Sequence, residues 1–252
     1  MSLRKALNGV LAGWGLSIER STPQVLKTEA KLNLDFDSLV RCEIQKQNGN
    51  FCFIQIGAND GQSRADDLGC YIQEFETVGI MVEPQPDVFL QLEQNYSNSP
   101  GIALLNKAVH LSETSMTLYR FDPDMLQDRA DLPLWARTNG IASFSRQHVL
   151  DHANKLNLSP DTISDQDVDC ITVDDLFSQI SRVPDLLKID VEGYDFEILN
   201  ALDLNRYRPR LIRFENLHMP DKQYQSIIDR FHAAGYRFLA NRMDTTAYLV
   251  SE

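Results

Sequence analysis

Five short apolar runs, each followed by a turn or a helical stretch, constrain this chain more than any other feature: Phe51 to Ile56, Thr77 to Val82, Ala103 to Val109, Leu186 to Ile189 and Leu211 to Phe214. Runs this short, with only an isolated polar residue or two inside, match central strands covered on both faces. Their alternation with glycine turns and helical segments predicts an α/β domain built on a mainly parallel sheet with crossover helices. The 252 residues fit one large domain with a modest extension, and an apolar fraction of 43% suffices for its core.

The spacing sets a boundary near residue 48. Residues 1–48 read as an N-terminal helical extension and 49–252 as the main domain. Phe36 to Ile44 reads as a helix capped by Asp35 or Asp37, ended by the turn Gln47-Asn48-Gly49-Asn50. Before it, Arg4 and Lys5 precede an apolar stretch that loosely imitates a signal peptide. Asn8 and three glycines interrupt that stretch and no small-residue cleavage pattern follows, so a short helix touching the domain, a partner or a membrane surface is expected instead. No later segment approaches the ~20 uninterrupted apolar residues of a membrane span. Between the third and fourth runs, Met116 to Phe121 alternates like an edge strand, and residues 122–170 are polar and turn-rich, a stretch expected to recognise an acceptor through Trp135, Asn139, Ser143, Arg146 and His148. Asp221 to Ala234 reads as an amphipathic helix stopped by Gly235, followed by a closing hairpin of Tyr236 to Leu239 and Thr246 to Val250.

Charge and cysteine usage exclude several classes. A formal net charge of −12 lacks the basic footprint of a nucleic-acid binder. Cys42, Cys52, Cys70 and Cys170 are scattered, with neither a disulfide framework nor zinc-type spacing, and read as buried thiols of a cytoplasmic protein.

The chemistry gathers where the runs end. The first leads into Gln55-Ile56-Gly57-Ala58-Asn59-Asp60-Gly61, a glycine turn at the end of a strand, where open α/β sheets bind ligands. A dinucleotide fold wants G-x-G-x-x-G; here Asn59 stands at the middle glycine, which suits a cofactor without a pyrophosphate. Glu83 ends the second run, 26 residues after Gly57, near the spacing at which a carboxylate takes both hydroxyls of a ribose. The fourth run ends Lys188-Ile189-Asp190-Val191-Glu192-Gly193-Tyr194-Asp195. If the strand extends through them, Asp190 and Glu192 share a face and could orient an acceptor, take its proton or hold a divalent metal; a salt bridge to Lys188 is the plainer alternative. His218, after the fifth run, is a candidate general base or an ordinary structural histidine.

Taken in order, Phe53 to Gly61, Val82-Glu83-Pro84-Gln85-Pro86, Ile171 to Leu176 and Leu187 to Asp195 resemble the FkbM family of S-adenosylmethionine-dependent methyltransferases over about residues 50–240. The resemblance implies a Rossmann-like class I methyltransferase fold with a seven-stranded sheet whose last strand is antiparallel. It implies S-adenosylmethionine as cofactor, lined by Gln55, Gly57, Ala58, Asn59 and Gly61, with Glu83 on the ribose. Asp190, Glu192 and His218 are the implied catalytic residues. Gln55 stands where the family often has an acid. The sulfonium is a strong methyl donor, so the protein's part is to position an acceptor hydroxyl, of a sugar, glycan or natural-product type, and to take its proton. A metal on Asp190 and Glu192 has no further ligand spacing behind it, and no metal site is assigned. Two alternatives stay open: an NAD(P)-dependent oxidoreductase, which shares the strand, turn and acidic residue, and a non-catalytic Rossmann-like binding module.

Overall fold

The computed structural model describes residues 16–18, 25–28, 34–62, 68–137 and 141–249. The main sheet is built from β1 (Leu16–Ile18), β2 (Val25–Thr28), β3 (Cys52–Ile56), β4 (Val78–Val82), β5 (Ile102–Leu105), β10 (Leu186–Ile189), β11 (Leu211–Glu215), β12 (Tyr236–Ala240) and β13 (Asp244–Leu249). Their spatial order is β1-β2-β12-β13-β11-β10-β3-β4-β5. From β5 through β11 every pairing is parallel, and β13 runs antiparallel to both β11 and β12. The seven strands from β12 to β5 are therefore the sheet the resemblance implies.

Alternation within each strand sends side chains to two separate cores. Phe53, Met81, Leu186 and Leu211 face α1 (Leu34–Lys46), α2 (Gly69–Glu74) and α3 (Pro86–Asn95), where they meet Phe36, Val40, Ile44, Tyr71, Leu92 and Tyr96. Ile54, Ile80, Leu187 and Ile212 point the other way. There they pack on residues of α7 (Val173–Ser178), α8 (Asp195–Ala201) and α9 (Asp221–Ala233), such as Leu176, Ile198 and Phe231. Each large side chain so buried contributes about 1.5–3 kcal/mol.

The extension is only partly helical among the described residues. Leu16–Ile18 and Val25–Thr28 are strands, and β2 lies parallel to β12 and widens the sheet to nine. A sheet edge offers unpaired backbone groups, and those short segments take them up. Helix α1 begins before Asp35 and Asp37, so neither residue caps it; the Asp37 carboxylate instead accepts from Arg41 at 3.0 Å and from the Tyr71 hydroxyl at 2.7 Å. The turn after α1 is as expected, with Asn48 and Gly49 at positive φ. The proposed N-terminal helix around Leu3 to Leu11 lies outside the described residues.

The stretch between β5 and β10 is more ordered than its polarity suggests. The third apolar run splits: Ile102–Leu105 stays in the main sheet, while β6 (Ala108–Val109) joins a second one. That sheet has the order β6-β9-β7-β8, from β7 (Ser115–Phe121), β8 (Ala142–Ser143) and β9 (Ile163–Ile171). So β7 is an interior strand, paired with β9 from Ser115↔Asp169 to Phe121↔Ile163 and with β8 on its other side. Short helices α4 (Pro123–Leu126) and α5 (Leu134–Arg137) and helix α6 (Arg146–Lys155) close a small core of its own around Phe121, Leu126, Val149 and Ala153. Arg120 ties this insert to α3 through both oxygens of Asp87, at 2.5 and 2.7 Å.

Helix α9 ends at Gly235, φ 96°, and β12 and β13 form the closing hairpin; Val250 lies outside the described residues. Only two of the four thiols match the buried reading: Cys52 and Cys170 are buried, Cys42 and Cys70 are exposed on helix surfaces, and all four are free. Among the described residues no helix is long and apolar enough to cross a membrane.

Candidate active site

Strand order reverses between β3 and β10, because the chain leaves β3 towards β4 on one side and leaves β10 towards β11 on the other. The crevice beyond their C-terminal ends is where a doubly wound sheet holds its ligand. Gly57 follows β3 there with φ 79°, and a Cβ on it would lie 1.8 Å from the Asp190 carbonyl oxygen. Only glycine lets the two strand ends come so close. The Gly57 and Ala58 N–H groups both donate to the Val82 carbonyl at 3.0 Å, which lashes the turn to the end of β4.

Glu83 sits beneath that turn. Its Oε2 accepts the Asn59 N–H at 2.9 Å, and its Oε1 accepts the Gln85 N–H at 2.9 Å and the Gln85 side-chain amide at 3.2 Å. Asn59 reaches this position through a left-handed conformation, φ 50°, which asparagine tolerates better than most residues. Burial pushes the Glu83 carboxyl up to about 7, against the pull of the Gln85 and Asn59 N–H groups and of Arg120. Gly61, φ 70°, closes the turn under Tyr96, whose hydroxyl donates to the Gly61 carbonyl at 2.5 Å. Gln55 is buried inside β3, in register between Lys188 and Met81.

On the other side of the crevice, β10 stops at Ile189, so Asp190 and Glu192 do not share a strand face. The Asp190 N–H still donates to the Ile56 carbonyl at 3.0 Å, and then the chain turns through Glu192, φ 51°, and Gly193, φ 103°. The turn nonetheless keeps the Glu192 charge close enough to act on Asp190. Burial, with the Glu192 charge, raises Asp190 to about 6, while Lys188 opposes it. Asp195, at the start of α8, accepts the Val191 N–H at 3.4 Å and is raised to about 8, first by burial and then by Asp190. Glu215, ending β11, is raised to about 9 by burial and by Glu192 and Asp190. Asp195 at a helix start and Glu215 at a strand end carry no signal as site residues along the chain, and only the fold brings them to this crevice.

His218 lies beside Glu192 and Glu215, with one donor atom of each within 4.8 Å of the others. His148 and His152, one turn apart on α6, complete the wall. His148 Nε2 is 3.3 Å from Glu192 Oε2, and the His148, His152 and His218 rings have donor atoms within 4.8 Å of one another. Ser143 donates to the Glu192 carbonyl at 2.8 Å, so the insert reaches the site through Ser143 and His148; Trp135 stacks edge-on to His152, Arg146 is exposed, and Asn139 lies outside the described residues.

Sheet order, antiparallel β13 and the glycine turn at the switch define a Rossmann-like α/β domain of the class I methyltransferase type. The chain belongs to the methyltransferase FkbM domain family, whose model matches residues 55–238. Among solved structures it is similar to methyltransferase FkbM from Methylobacillus flagellatus KT, with 17% identity, a TM-score of 0.44 and coverage of 80% of this chain and 44% of that one. The chain thus spans less than half the length of that protein. It is also similar to a precorrin-6y C5,15-methyltransferase from Geobacter metallireducens GS-15 (10% identity, TM-score 0.41, covering 88% of this chain and 92% of that one). A third likeness is to an O-methyltransferase from Bacillus cereus in complex with SAH (9% identity, TM-score 0.38, covering 97% and 89%). No curated protein matches the chain.

Proposed function

We propose that this chain is an S-adenosylmethionine-dependent methyltransferase that methylates a hydroxyl oxygen of a sugar, glycan or natural-product-like acceptor. The observation that carries the cofactor reading is the Glu83 carboxylate, buried at the end of β4 and held on both oxygens by backbone N–H groups of Asn59 and Gln85. Its remaining lone pairs suit a vicinal diol. Gly57 lets the ends of β3 and β10 close on one another beside Glu83, and Gln55, Gly57, Ala58, Asn59 and Gly61 are the residues assigned to the rest of the cofactor's lining. The cofactor supplies an electrophilic methyl group.

The chain's own residues hold the acceptor and manage its proton. Asp190 and His218 are the candidate bases, and Glu192 orients Asp190's neighbourhood through its charge. Burial lowers His218, which favours the neutral imidazole that can accept a proton. Asp190, raised only to about 6 and so ionised at neutral pH, favours with Glu192 a cationic ligand over an anionic one at this end of the sheet. That field, with the Asn59 N–H committed to Glu83, disfavours the pyrophosphate of a nicotinamide dinucleotide. Ser143 and His148 place the insert where an acceptor would enter. A cytoplasmic setting belongs to the same proposal and rests on the free, exposed thiols of Cys42 and Cys70.

Calorimetric titration with S-adenosylmethionine, S-adenosylhomocysteine and NAD tests the cofactor reading. Binding of both adenosyl ligands, weakened in Glu83→Ala, is expected. Binding of NAD alone would establish the oxidoreductase alternative, and methyl transfer to no hydroxyl acceptor by a protein that binds the cofactor would favour the non-catalytic module.

A further inference from the structure

We propose that His148, His152 and His218, together with Glu192, form a site for one divalent transition-metal ion of the zinc type, where α6 of the insert meets the end of the main sheet. The site rests on geometry and not on the cofactor reading; it shares Glu192 and His218 with the proposed catalytic group, so with the metal bound Asp190 is left as the base.

The ring geometry is the first argument. Ring centroids lie 4.7 Å apart for His148 and His152, 5.0 Å for His148 and His218, and 5.2 Å for His152 and His218, with interplanar angles of 63°, 85° and 88°. An imidazole bound to zinc at about 2.1 Å has its ring centre roughly 3.2 Å from the ion, so two such rings at a tetrahedral angle stand about 5.2 Å apart. At a right angle the separation falls to about 4.5 Å, and all three observed separations lie between these limits. The three rings are edge-on to one another and bring one nitrogen each within 4.8 Å of the others, an arrangement open to a shared ion.

The second argument is how the rings are held. His152 is buried, and its Nδ1 lies 3.2 Å from the His148 carbonyl, one turn earlier in α6. A ring nitrogen tied to a backbone carbonyl leaves Nε2 as the free lone pair, the usual arrangement of a metal-binding histidine.

Glu192, which clusters with His218 and Glu215 but not with His152, is the nearest oxygen donor for a fourth position. Its Oε2 is 3.3 Å from His148 Nε2, and two ligands on one ion at tetrahedral angles are about 3.4 Å apart. The unusual backbone of Glu192, φ 51°, is held by Ser143, which donates to its carbonyl. Nitrogen donors with one carboxylate select a zinc-like ion over magnesium. Glu215, whose carboxylate shares a 4.8 Å cluster with Glu192 and His218, stands ready as an alternative oxygen ligand.

The test uses the full chain stripped with a chelator and titrated with Co²⁺, followed by visible absorption, then with Zn²⁺ in competition. One equivalent is expected, with tetrahedral d–d bands that Zn²⁺ removes and Mg²⁺ leaves in place, and with no thiolate charge-transfer band. His152→Ala and His218→Asn should each weaken Co²⁺ at least tenfold while circular dichroism stays native, and Cys42→Ser/Cys70→Ser should change nothing. Because His152 is buried, the partly exposed His218→Asn serves if His152→Ala does not fold. Absence of saturable binding in the wild type, or binding unchanged in His218→Asn, overturns the proposal. Neither outcome touches the adenosyl-ligand titration, so this site and the cofactor site fail separately.

Discussion

Gly57 and Asp190 are in backbone contact across the sheet's switch point: a Cβ on Gly57 would sit 1.8 Å from the Asp190 oxygen and 2.8 Å from its carbonyl carbon. Gly57→Ala therefore combines a positive-φ penalty with forced separation of β3 and β10. A loss of about 3 kcal/mol is expected, a fall in Tm of roughly 6–12 °C for a domain of this size. Thermal denaturation followed by circular dichroism checks it, and a variant as stable as the wild type would mean that the turn does not need this approach.

Affinity for the adenosyl cofactor should strengthen as pH rises through about 7. Burial raises the Glu83 carboxyl to that value, and only the ionised form offers enough lone pairs for a diol as well as for Asn59 and Gln85. Stability of the unliganded protein runs the other way. A carboxyl raised on folding contributes most below its unfolded value near 4.5, and that contribution is lost as pH climbs through about 7. Glu83→Gln should bind weakly at every pH, flatten the affinity trend and lessen the stability trend, the remainder of which belongs to Asp190, Asp195 and Glu215. Calorimetry between about pH 5.5 and 8.5 reads the first, and Tm over the same range the second.

Two ion pairs of similar length should differ sharply in worth. Arg120 is 6% exposed and meets Asp87, whereas Arg129 and Asp131 are 48% and 62% exposed. Asp87→Ala leaves a buried guanidinium without its carboxylate and should cost about 2–3 kcal/mol, loosening the insert from α3. Asp131→Ala removes a solvated pair and should cost under about 1 kcal/mol. Urea denaturation of the two variants decides the matter; equal losses would mean that Asp87 does not compensate Arg120.

Glu192→Gly should stabilise the fold while harming function. Glycine accepts φ 51° without strain, and the substitution removes a charge that raises Asp190, Asp195 and Glu215. A gain of about 0.5–1 kcal/mol is expected together with loss of methyl transfer. A destabilised Glu192→Gly would indicate that the His148 contact outweighs the strain.

The sequence by itself determined the parallel core and the two anchors of the site. Strands such as Phe51 to Ile56 and Leu186 to Ile189 are apolar but for Gln55 and Lys188 because both faces are covered, and the Gly57 turn and Glu83 follow their strands directly in the chain, so local spacing carries them. Three things were decided only by tertiary structure. The second sheet was illegible because β9, Ile163–Ile171, alternates buried residues with Asp165, Asp167 and Asp169 and reads as a polar loop until β7 pairs with it. The placing of Glu192 near Asp190 depends on a left-handed turn and not on strand alternation. The histidine cluster draws His148 and His152 from α6 and His218 from the segment after β11, and ring contacts across such separations are set by how the insert docks on the sheet, which no spacing along the chain encodes.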